Sequence, residues 1–276
     1  MEKAELSFSI LVTTQGRTYE LAAFMRSLCQ QQGVDCTLIA GMQETPIDPA
    51  SLVQNPPYAI VHKALPRLSL SQARNALLEE ATGDILALAD DDCQYPPDIL
   101  RSVAYFFANN RRCGVLICDN DIAAPRKEKR WQVLHRAPSY TLFFRRSAVV
   151  ESGLFDESMG IGTAGPWQSG EETDLVLRIM AHGHEVWRIP TPAIRHPEAL
   201  HTEAVNIGKV MGYARGRMYL LQKHSFSLGF KLLNLVYPLA VLPVEIVRFA
   251  AKICAYRLAM FQGRLSGLLL VRRRSA

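Results

Sequence analysis

The sequence contains few of the features that mark a secreted or zinc-binding protein. Its six cysteines include no Cys-x-x-Cys pair and no zinc-ligand spacing, so we expect reduced, mostly buried thiols, as in a cytosolic protein. Residues 1–6 are too polar for a signal peptide, and the apolar residues 8–12 are too few for the core of one. These absences lead us to expect a protein that stays in the cytoplasm.

Long apolar runs are also scarce. In the last quarter of the chain, the longest uncharged run is residues 232–244, and it is broken by Asn234, Pro238 and Pro243. Because a bilayer-spanning helix needs about 20 apolar residues, none is expected there. The sequence has no internal repeat, no low-complexity segment and no glycine-rich triphosphate loop. With 49% apolar and 21% charged residues, the 276 residues suit one large globular domain or one domain with an appendage.

Charge is divided unevenly along the chain. The net charge of +5 combines +11 over residues 209–276, which hold twelve Lys or Arg and one acid, Glu245, with −6 over residues 1–208. Basic and apolar residues are mixed in the C-terminal part, which favours an anionic membrane surface over nucleic acid as a partner. We therefore predict two domains, residues 1–208 and a basic, amphipathic helical region over residues 209–276.

Polar residues recur at helical spacing within this C-terminal region. Glu245, Arg248, Lys252 and Tyr256 form one stripe on an otherwise apolar helix that we predict over residues 244–261. Such a helix can lie in a membrane interface. It can also pack on the body of the protein or on a second subunit, as the contact of a homodimer.

Short strands and helices alternate over the first 200 residues, a pattern typical of α/β layering. The predicted strands are residues 9–13, 36–40, 58–62, 84–90, 114–118, 140–145 and 186–189. The predicted helices are residues 19–31, 69–81, a helix opened by 96–98, then 147–153 and 169–182. Pro96, Pro97 and Asp98 suit the first turn of their helix, where proline is tolerated and an acid complements the dipole.

Three consecutive acids, Asp90, Asp91 and Asp92, end the apolar strand at residues 84–90. Because side chains alternate along a strand, Asp90 and Asp92 point to one side and Asp91 to the other. Two carboxylates on one side at the carboxyl end of a strand suit Mg²⁺ or Mn²⁺, whose other positions go to water and phosphate oxygens. The alternative is a solvated turn before the next helix. After a hydrophobic strand we favour a metal site for a phosphate or diphosphate ester.

Four segments, in their order and spacing, resemble bacterial glycosyltransferases of family 2. They are residues 11–17 (LVTTQGR), 70–75 (LSQARN), 87–97 (ALADDDCQYPP) and 170–175 (GEETDL). The resemblance covers nearly the whole chain. It implies the GT-A fold, a Rossmann-like α/β fold with a mixed, mostly parallel sheet flanked by helices, here followed by a C-terminal helical extension that associates with membranes.

The resemblance also implies a metal site. In the family an Asp-x-Asp motif binds the Mn²⁺ or Mg²⁺ that bridges the diphosphate of the sugar nucleotide, and the matching residues are Asp90 and Asp92. Asp91 would face the sugar or ribose. His196 follows the last predicted strand, where the family often has a histidine, and is a weaker third ligand.

The nucleotide-sugar contacts follow from the same resemblance. Thr13, Thr14 and Arg17 are assigned to the turn that meets the nucleotide. Arg74 and Asn75 resemble the contacts around the nucleotide and diphosphate, although outside the resemblance Arg74 reads as a solvated helix residue.

One position departs from the family. The acid that often ends the second strand and reads the base is absent, and Gln43 or Glu44 substitutes for it, so the base is left open.

The general base is assigned to the start of a helix. The family usually uses the Asp of a Glu-Asp pair, and the matching residue here is Glu172, with Glu171 and Asp174 as alternates. A structural alternative exists, because Ser169 and Glu172 have the spacing of a capping box. Residues 155–165 look like the segment that shapes the acceptor pocket, with Trp167 either a sugar-stacking platform or a core residue.

The resemblance implies an inverting, metal-dependent glycosyltransferase, of hexosyl or deoxyhexosyl type, at the inner face of the cell membrane. Its expected partners are a nucleotide-sugar donor and a saccharide acceptor, linked to polyprenyl diphosphate, in the synthesis of cell-surface polysaccharide or another glycan; nucleic acid is not expected. Two alternatives stay open: a nucleotidyltransferase, and a non-catalytic membrane-associated scaffold that binds nucleotide sugars. The missing triphosphate loop counts against the first of these.

Overall fold

The computed structural model of the protein describes residues 6–135, 137–197, 206–247 and 251–274. The strands in these ranges are β1 (Phe8–Thr14), β2 (Cys36–Gln43), β3 (Ala59–Leu65), β4 (Ile85–Asp90), β5 (Cys113–Asp119), β6 (Arg126–Lys127), β7 (Leu142–Arg145) and β8 (Glu185–Pro190). The α-helices are α1 (Thr18–Leu28), α2 (Leu70–Leu78), α3 (Ile99–Asn109), α4 (Arg146–Ser152), α5 (Glu171–Ala181), α6 (Ile207–Lys223), α7 (Leu228–Ala240), α8 (Leu242–Val247) and α9 (Ala251–Arg274).

The strands form one mixed sheet in the order β3-β2-β1-β4-β7-β5-β8-β6. β1 to β4 are mutually parallel, β7 runs antiparallel between β4 and β5, and β8 is parallel to β5. β1, β4 and β5 are apolar and buried along almost their whole length, as expected for parallel strands covered on both faces. The strand order reverses at β1, so the carboxyl ends of β1 and β4 flank the place where open α/β sheets bind ligands.

The predicted α/β architecture is confirmed. Every predicted strand and helix of the first 200 residues is present, with ends that differ by up to three residues. β6 was not predicted, because a two-residue exposed strand carries no hydrophobic period.

The predicted first turn of α3 was wrong. The helix begins at Ile99 with no acid in its first turn, and Asp98 precedes it with a left-handed φ of 63° and no side-chain capping bond. Its carboxylate pairs instead with Arg101 at 2.7 Å. The two prolines therefore form the turn before the helix rather than its first residues.

The larger of two compact units consists, within the described ranges, of residues 6–68, 72–155 and 175–197. It contains the whole sheet, and its core is formed by the strands with the apolar faces of α1 and α3, such as Phe24 and Phe107. The predicted buried, reduced thiols are largely confirmed: all six cysteines are free, four of them are buried and Cys29 and Cys254 are partly exposed.

The second unit consists of residues 69–71, 156–174, 206–247 and 251–274. α9 packs on α6 at close range, because a Cβ at Gly263 would lie 2.7 Å from both the Ala214 Cβ and the Met211 carbonyl oxygen. The predicted helix over 244–261 is helical where it is described, in α8 up to Val247 and in α9 from Ala251; Arg248 lies outside the described residues. The functional domains 1–208 and 209–276 stay a prediction.

One face of α7 exposes apolar side chains at helical spacing. These are Leu228, Leu232, Leu233, Val236 and Tyr237. Within the described part of the chain, no helix combines the length and hydropathy that crossing a bilayer requires.

Candidate active site

The acidic triplet lies where the sequence predicts it, at the carboxyl end of β4. Asp90 is the last residue of the strand, and a turn follows in which the Cys93 backbone N–H donates to the Asp90 carbonyl at 3.1 Å. Asp90 and Asp92 are partly exposed, whereas Asp91 is buried. The structure thus brings Asp90 and Asp92 together, while the Asp91 carboxylate is covered.

His196 joins Asp90 and Asp92 through a short backbone bridge. Gln94 and Arg195 exchange N–H···O bonds of 2.7 and 3.0 Å, which places the residue after Arg195 beside the turn that follows β4. The His196 Nε2 lies 3.1 Å from Asp92 Oδ1 and 3.5 Å from Asp90 Oδ2. One face of the imidazole is covered by Tyr140, stacked at a centroid distance of 4.6 Å.

The tautomer of His196 follows from the hydrogen-bond partner of its Nδ1 atom. Nδ1 lies 2.9 Å from the Pro197 carbonyl oxygen, which only accepts hydrogen bonds, so Nδ1 carries the proton. In the neutral ring, Nε2 then presents a lone pair towards the two carboxylates. A backbone carbonyl that holds the second ring nitrogen is the usual arrangement around metal-ligating histidines.

These three residues fit a divalent cation. One ligand atom from each of Asp90, Asp92 and His196 falls within 4.8 Å of the other two. Asp92 Oδ1 is buried and makes no hydrogen bond among the described atoms, although the His196 Nε2 lies 3.1 Å from it. With Nδ1 as the protonated nitrogen, two acceptor atoms face each other there, an arrangement that a cation between them would compensate. Two carboxylates and one imidazole are a donor set that Mn²⁺ accepts readily, whereas Mg²⁺ prefers oxygen alone.

Arg17 connects the end of β1 to the acids. Its guanidinium pairs with both Asp91 oxygens, and its Nη1 donates to Asp92 Oδ2 at 2.6 Å. Burial tends to lower the pKa of Arg17, but the two carboxylates outweigh burial and raise it. Burial raises the pKa of Asp91, opposed by Thr14 and Arg17. The Asp91 carboxylate is buried and paired with Arg17, and its contact with the donor stays a prediction.

Thr13 and Thr14 end β1, in parallel register with β4: Thr13 is paired with Asp90. Thr13 is partly exposed and Thr14 is buried. The structure thus brings the predicted β1 residues to the edge of the acidic turn, and their role towards the nucleotide stays a prediction.

Arg74 and Asn75 both lie in the interior of the protein. Arg74 is 3% exposed, its Nη2 is 3.9 Å from Asp90 Oδ1, and its guanidinium lies over the Phe155 ring. The alternative of a solvated helix residue is therefore wrong. Asn75 donates to the Phe155 carbonyl at 3.0 Å and accepts from the Phe155 N–H at 2.9 Å, so its amide holds that backbone.

The two substitutes for the base-reading acid differ in exposure. Gln43 is buried, and its side-chain oxygen accepts from the Leu68 N–H at 2.8 Å. Glu44 is exposed, with its carboxylate 3.8 Å from Arg67. Gln43 therefore has a structural role, because its side chain holds the Leu68 backbone, and the choice of nucleotide base stays open.

The acids at the start of α5 belong to the second unit and have unequal surroundings. Glu171 is buried, Asp174 is fully buried, and Glu172 is partly exposed. Burial, followed by the charges of Glu171 and Glu172, raises the pKa of Tyr213 to about 12. Of the three acids, Glu172 has the exposure that a base meeting a substrate requires.

Asp174 is held in a network that the sequence did not indicate. Its Oδ1 lies 2.7 Å from Lys223 Nζ and 2.8 Å from His224 Nε2, and Lys223 also reaches Asp156 at 2.6 Å. A fully buried carboxylate paired with a lysine is a structural anchor rather than a proton acceptor for substrate.

The capping-box alternative for Glu172 does not have the expected register. In a capping box the serine is the N-cap and the acid is the third helical residue, whereas α5 begins at Glu171. The Ser169 hydroxyl donates to the Tyr213 carbonyl at 2.9 Å. Trp167 is 1% exposed and stacks on Tyr219 at 4.7 Å, so of its two interpretations the core residue is correct.

Comparison with known proteins agrees with this geometry. Residues 43–159 match the sequence model of the family "Glycosyl transferase family 2". No curated protein matches the sequence.

Similar solved structures include complexes with nucleotide sugars. A mannosyltransferase from Pyrobaculum calidifontis, PcManGT, in complex with GDP-Man and Mn²⁺, has a TM-score of 0.66 at 15% identity, over 96% of this chain and 86% of that one. S. aureus TarS 1–349 has a TM-score of 0.57 at 14% identity, over 98% and 92% of the two chains. Its complex with UDP-GlcNAc has a TM-score of 0.53 at 14% identity, over the same shares. At these identities the likeness to the solved structures establishes the GT-A fold, and the match of residues 43–159 to the family model supports a glycosyltransferase.

Proposed function

We propose that the protein is an inverting, metal-dependent transferase that moves a sugar from a nucleotide-diphosphate sugar to a saccharide acceptor. The observation that carries the proposal is the cluster of Asp90, Asp92 and His196 at the end of β4, in which the buried Asp92 Oδ1 faces the His196 Nε2 at 3.1 Å. Solved structures of similar fold were determined with GDP-Man and Mn²⁺ or with UDP-GlcNAc, which supports a nucleotide-sugar donor.

The residues in and around the cluster have different proposed roles towards the nucleotide-sugar donor. A divalent cation held by Asp90, Asp92 and His196 would supply Lewis-acid stabilisation of the departing nucleoside diphosphate. Arg17 is half exposed beside these acids and can offer its guanidinium to the phosphates. Asp91 and Thr14 keep Arg17 at the end of β1.

Glu172 is the proposed general base. Inversion requires removal of a proton from the acceptor hydroxyl as it attacks the anomeric carbon, opposite the leaving diphosphate. Among the acids that open α5, Glu172 is the more exposed, while Asp174 is committed to Lys223 and His224.

The acceptor is proposed to be lipid-linked. The exposed apolar face of α7, together with the excess of basic residues over 209–276, suits an anionic membrane surface, where polyprenyl-diphosphate-linked saccharides of a cell-surface glycan are found. The apolar face of α7 could equally be buried in the interface of a homodimer. A flotation assay with phosphatidylglycerol vesicles separates the two: the double variant Leu232→Asp and Val236→Asp should lose vesicle binding while its mass by light scattering is unchanged.

The donor half of the proposal is tested by a screen of nucleotide sugars. The full chain, with Mn²⁺ or Mg²⁺, should release nucleoside diphosphate from one of them, and Asp92→Ala should abolish release. Asp98→Asn is the matched control, because Asp98 adopts a left-handed φ of 63°, which asparagine tolerates well. Turnover by Asp92→Ala with added Mn²⁺ would contradict the proposal, as would release of pyrophosphate.

A further inference from the structure

A cavity of about 280 Å³ opens at the carboxyl ends of β5 and β8, within the unit that holds the sheet. Its walls come from three segments that follow β5, precede β7 and follow β8. They include Asp119, Asn120, Tyr140, Thr141, Thr191 and Ala193. Neither the metal ligands nor the proposed nucleotide contacts are among its lining residues. We propose that this cavity binds one sugar ring of the saccharide acceptor.

The chemistry of the walls favours a neutral polyhydroxylated ligand. Two carboxylates, an amide and the hydroxyls of threonine and tyrosine offer hydrogen bonds, while prolines and Ile194 provide apolar surface. The described lining residues include no Lys or Arg, so a phosphate or diphosphate would meet carboxylates without a compensating cation. The volume is at the small end of the roughly 300–1,000 Å³ of ligand pockets, which suits a single ring.

Asp119 is fixed in the wall before any ligand arrives. Its Oδ2 accepts from Arg188 Nη1 at 2.6 Å, and its Oδ1 accepts from the Asp121 N–H at 2.8 Å. Arg188 is 2% exposed and is itself held by Glu128 at 2.7 Å. A buried arginine that orients a carboxylate at the rim of a cavity reduces the cost of ordering that carboxylate around a ligand.

The position of the cavity favours the acceptor over the donor. Tyr140 forms part of its wall and also stacks on His196, while Ser139, the preceding residue, donates to Asp90 at 3.2 Å. In the sheet, β4 with its acids lies between β1, where the nucleotide contacts are proposed, and β5 and β8, where the cavity opens. A donor that extends from β1 to the metal ligands would thus present its sugar towards the cavity. This assignment rests on the proposed function.

The test uses ligand-observed NMR on the full chain with methyl glycosides of glucose, galactose, mannose, N-acetylglucosamine and rhamnose. Ala193→Phe narrows the cavity from an exposed wall position without touching the metal ligands. Ala181→Phe is the matched control, since this exposed residue precedes β8, at the strand end opposite the cavity. Thr191→Val removes one hydroxyl at constant size.

We expect at least one glycoside to bind, with affinity reduced at least about tenfold by Ala193→Phe and also lowered by Thr191→Val, but unchanged in Ala181→Phe. Failure of every glycoside to bind the wild type, or equal binding by Ala193→Phe, overturns the inference. Mg²⁺-dependent binding of GDP, UDP, ADP, CDP and dTDP is measured separately. Loss of nucleotide affinity in Ala193→Phe would assign the cavity to the donor instead, whereas a wild type that binds none of these nucleotides would contradict the proposed function itself.

Discussion

Replacing Lys223 by methionine should destabilise the protein more than the loss of any exposed lysine. The Lys223 Nζ lies 2.7 Å from Asp174, whose side chain is fully buried, and 2.6 Å from Asp156. At an effective dielectric constant of about 20, a pair at this distance attracts by about 6 kcal/mol, much of which offsets the desolvation of the two charges. Methionine keeps most of the length of the side chain but removes the ammonium from Asp174, which keeps its contact with His224.

The expected loss is about 3 kcal/mol of unfolding free energy, the lower end of the roughly 3–5 kcal/mol found when one partner of a buried pair is removed. His224 still donates to Asp174, which keeps the loss from being larger. Urea denaturation measures it. Lys209→Met on the same helix is the control and should cost less than about 1 kcal/mol, because Lys209 is exposed and its ammonium only lies over the Tyr213 ring.

A double-mutant cycle shows whether the loss of unfolding free energy comes from the buried Asp174 carboxylate that no longer has its lysine partner. The double variant Lys223→Met/Asp174→Asn should lose less unfolding free energy than the sum of the losses in the two single variants. The expected coupling is about 2 kcal/mol, because a neutral asparagine at position 174 needs no cation beside it. Additive losses, or a loss in Lys223→Met equal to that in the Lys209 control, would refute the reasoning.

The pH dependence of this difference has a defined sign. Burial tends to raise the pKa of Asp156, but hydrogen bonds from Lys223 and Ser158 outweigh it and hold the pKa below the ordinary 3.8. Burial lowers the pKa of Lys223, but its two carboxylates outweigh burial and raise the pKa above 10.5. The pair of Asp156 and Lys223 therefore contributes fully to the unfolding free energy between about pH 4 and pH 10. This contribution is lost as the pH falls through the lowered pKa of Asp156, and it is also lost as the pH rises through the raised pKa of Lys223. The difference in unfolding free energy between the wild type and Lys223→Met should therefore shrink at low pH and at high pH.

Two further predictions concern the sheet unit. Arg188→Met should cost about 3–5 kcal/mol of unfolding free energy in urea denaturation, since it removes the buried cation that pairs with both Glu128 and Asp119 and leaves Glu128 with the half-exposed Arg126. Arg126→Met should cost less than about 1 kcal/mol, and equal losses in the two variants would contradict the assigned burial. Tyr140→Leu should raise the Mn²⁺ dissociation constant about tenfold in a calorimetric titration, because the ring that orients His196 is gone, and an unchanged constant would show that the stacking does not position the imidazole.

The grouping of Asp90 with Asp92 was predicted from the alternation of side chains along a strand. In the structure β4 ends at Asp90, and Asp91 and Asp92 lie in the turn that follows, so alternation along the strand does not account for their positions. His196 could be named only by resemblance. Its approach depends on the bridge between Gln94 and Arg195, a pairing of residues about a hundred positions apart that no periodicity encodes.

The surroundings of the acidic helix start were not predictable for the same reason. Glu171, Glu172 and Asp174 are equally acidic in the sequence, and only tertiary contacts separate them. Lys223, 49 positions after Asp174, lies at the end of a separate helix, and a lone lysine there gives no signal of a buried partner. Asn75 likewise matches a family segment, yet its amide holds the Phe155 backbone.

The proposed function requires a divalent cation bound by Asp90, Asp92 and His196. Electron paramagnetic resonance of Mn²⁺ titrated into the full chain measures free and bound metal without a substrate. We expect one site in the wild type and in Asp98→Asn, weakened at least about tenfold by Asp90→Asn or Asp92→Asn, which each remove a carboxylate charge, and by His196→Ala, which removes a ligand atom. Mn²⁺ binding of wild-type strength in Asp92→Asn would contradict the proposed metal site.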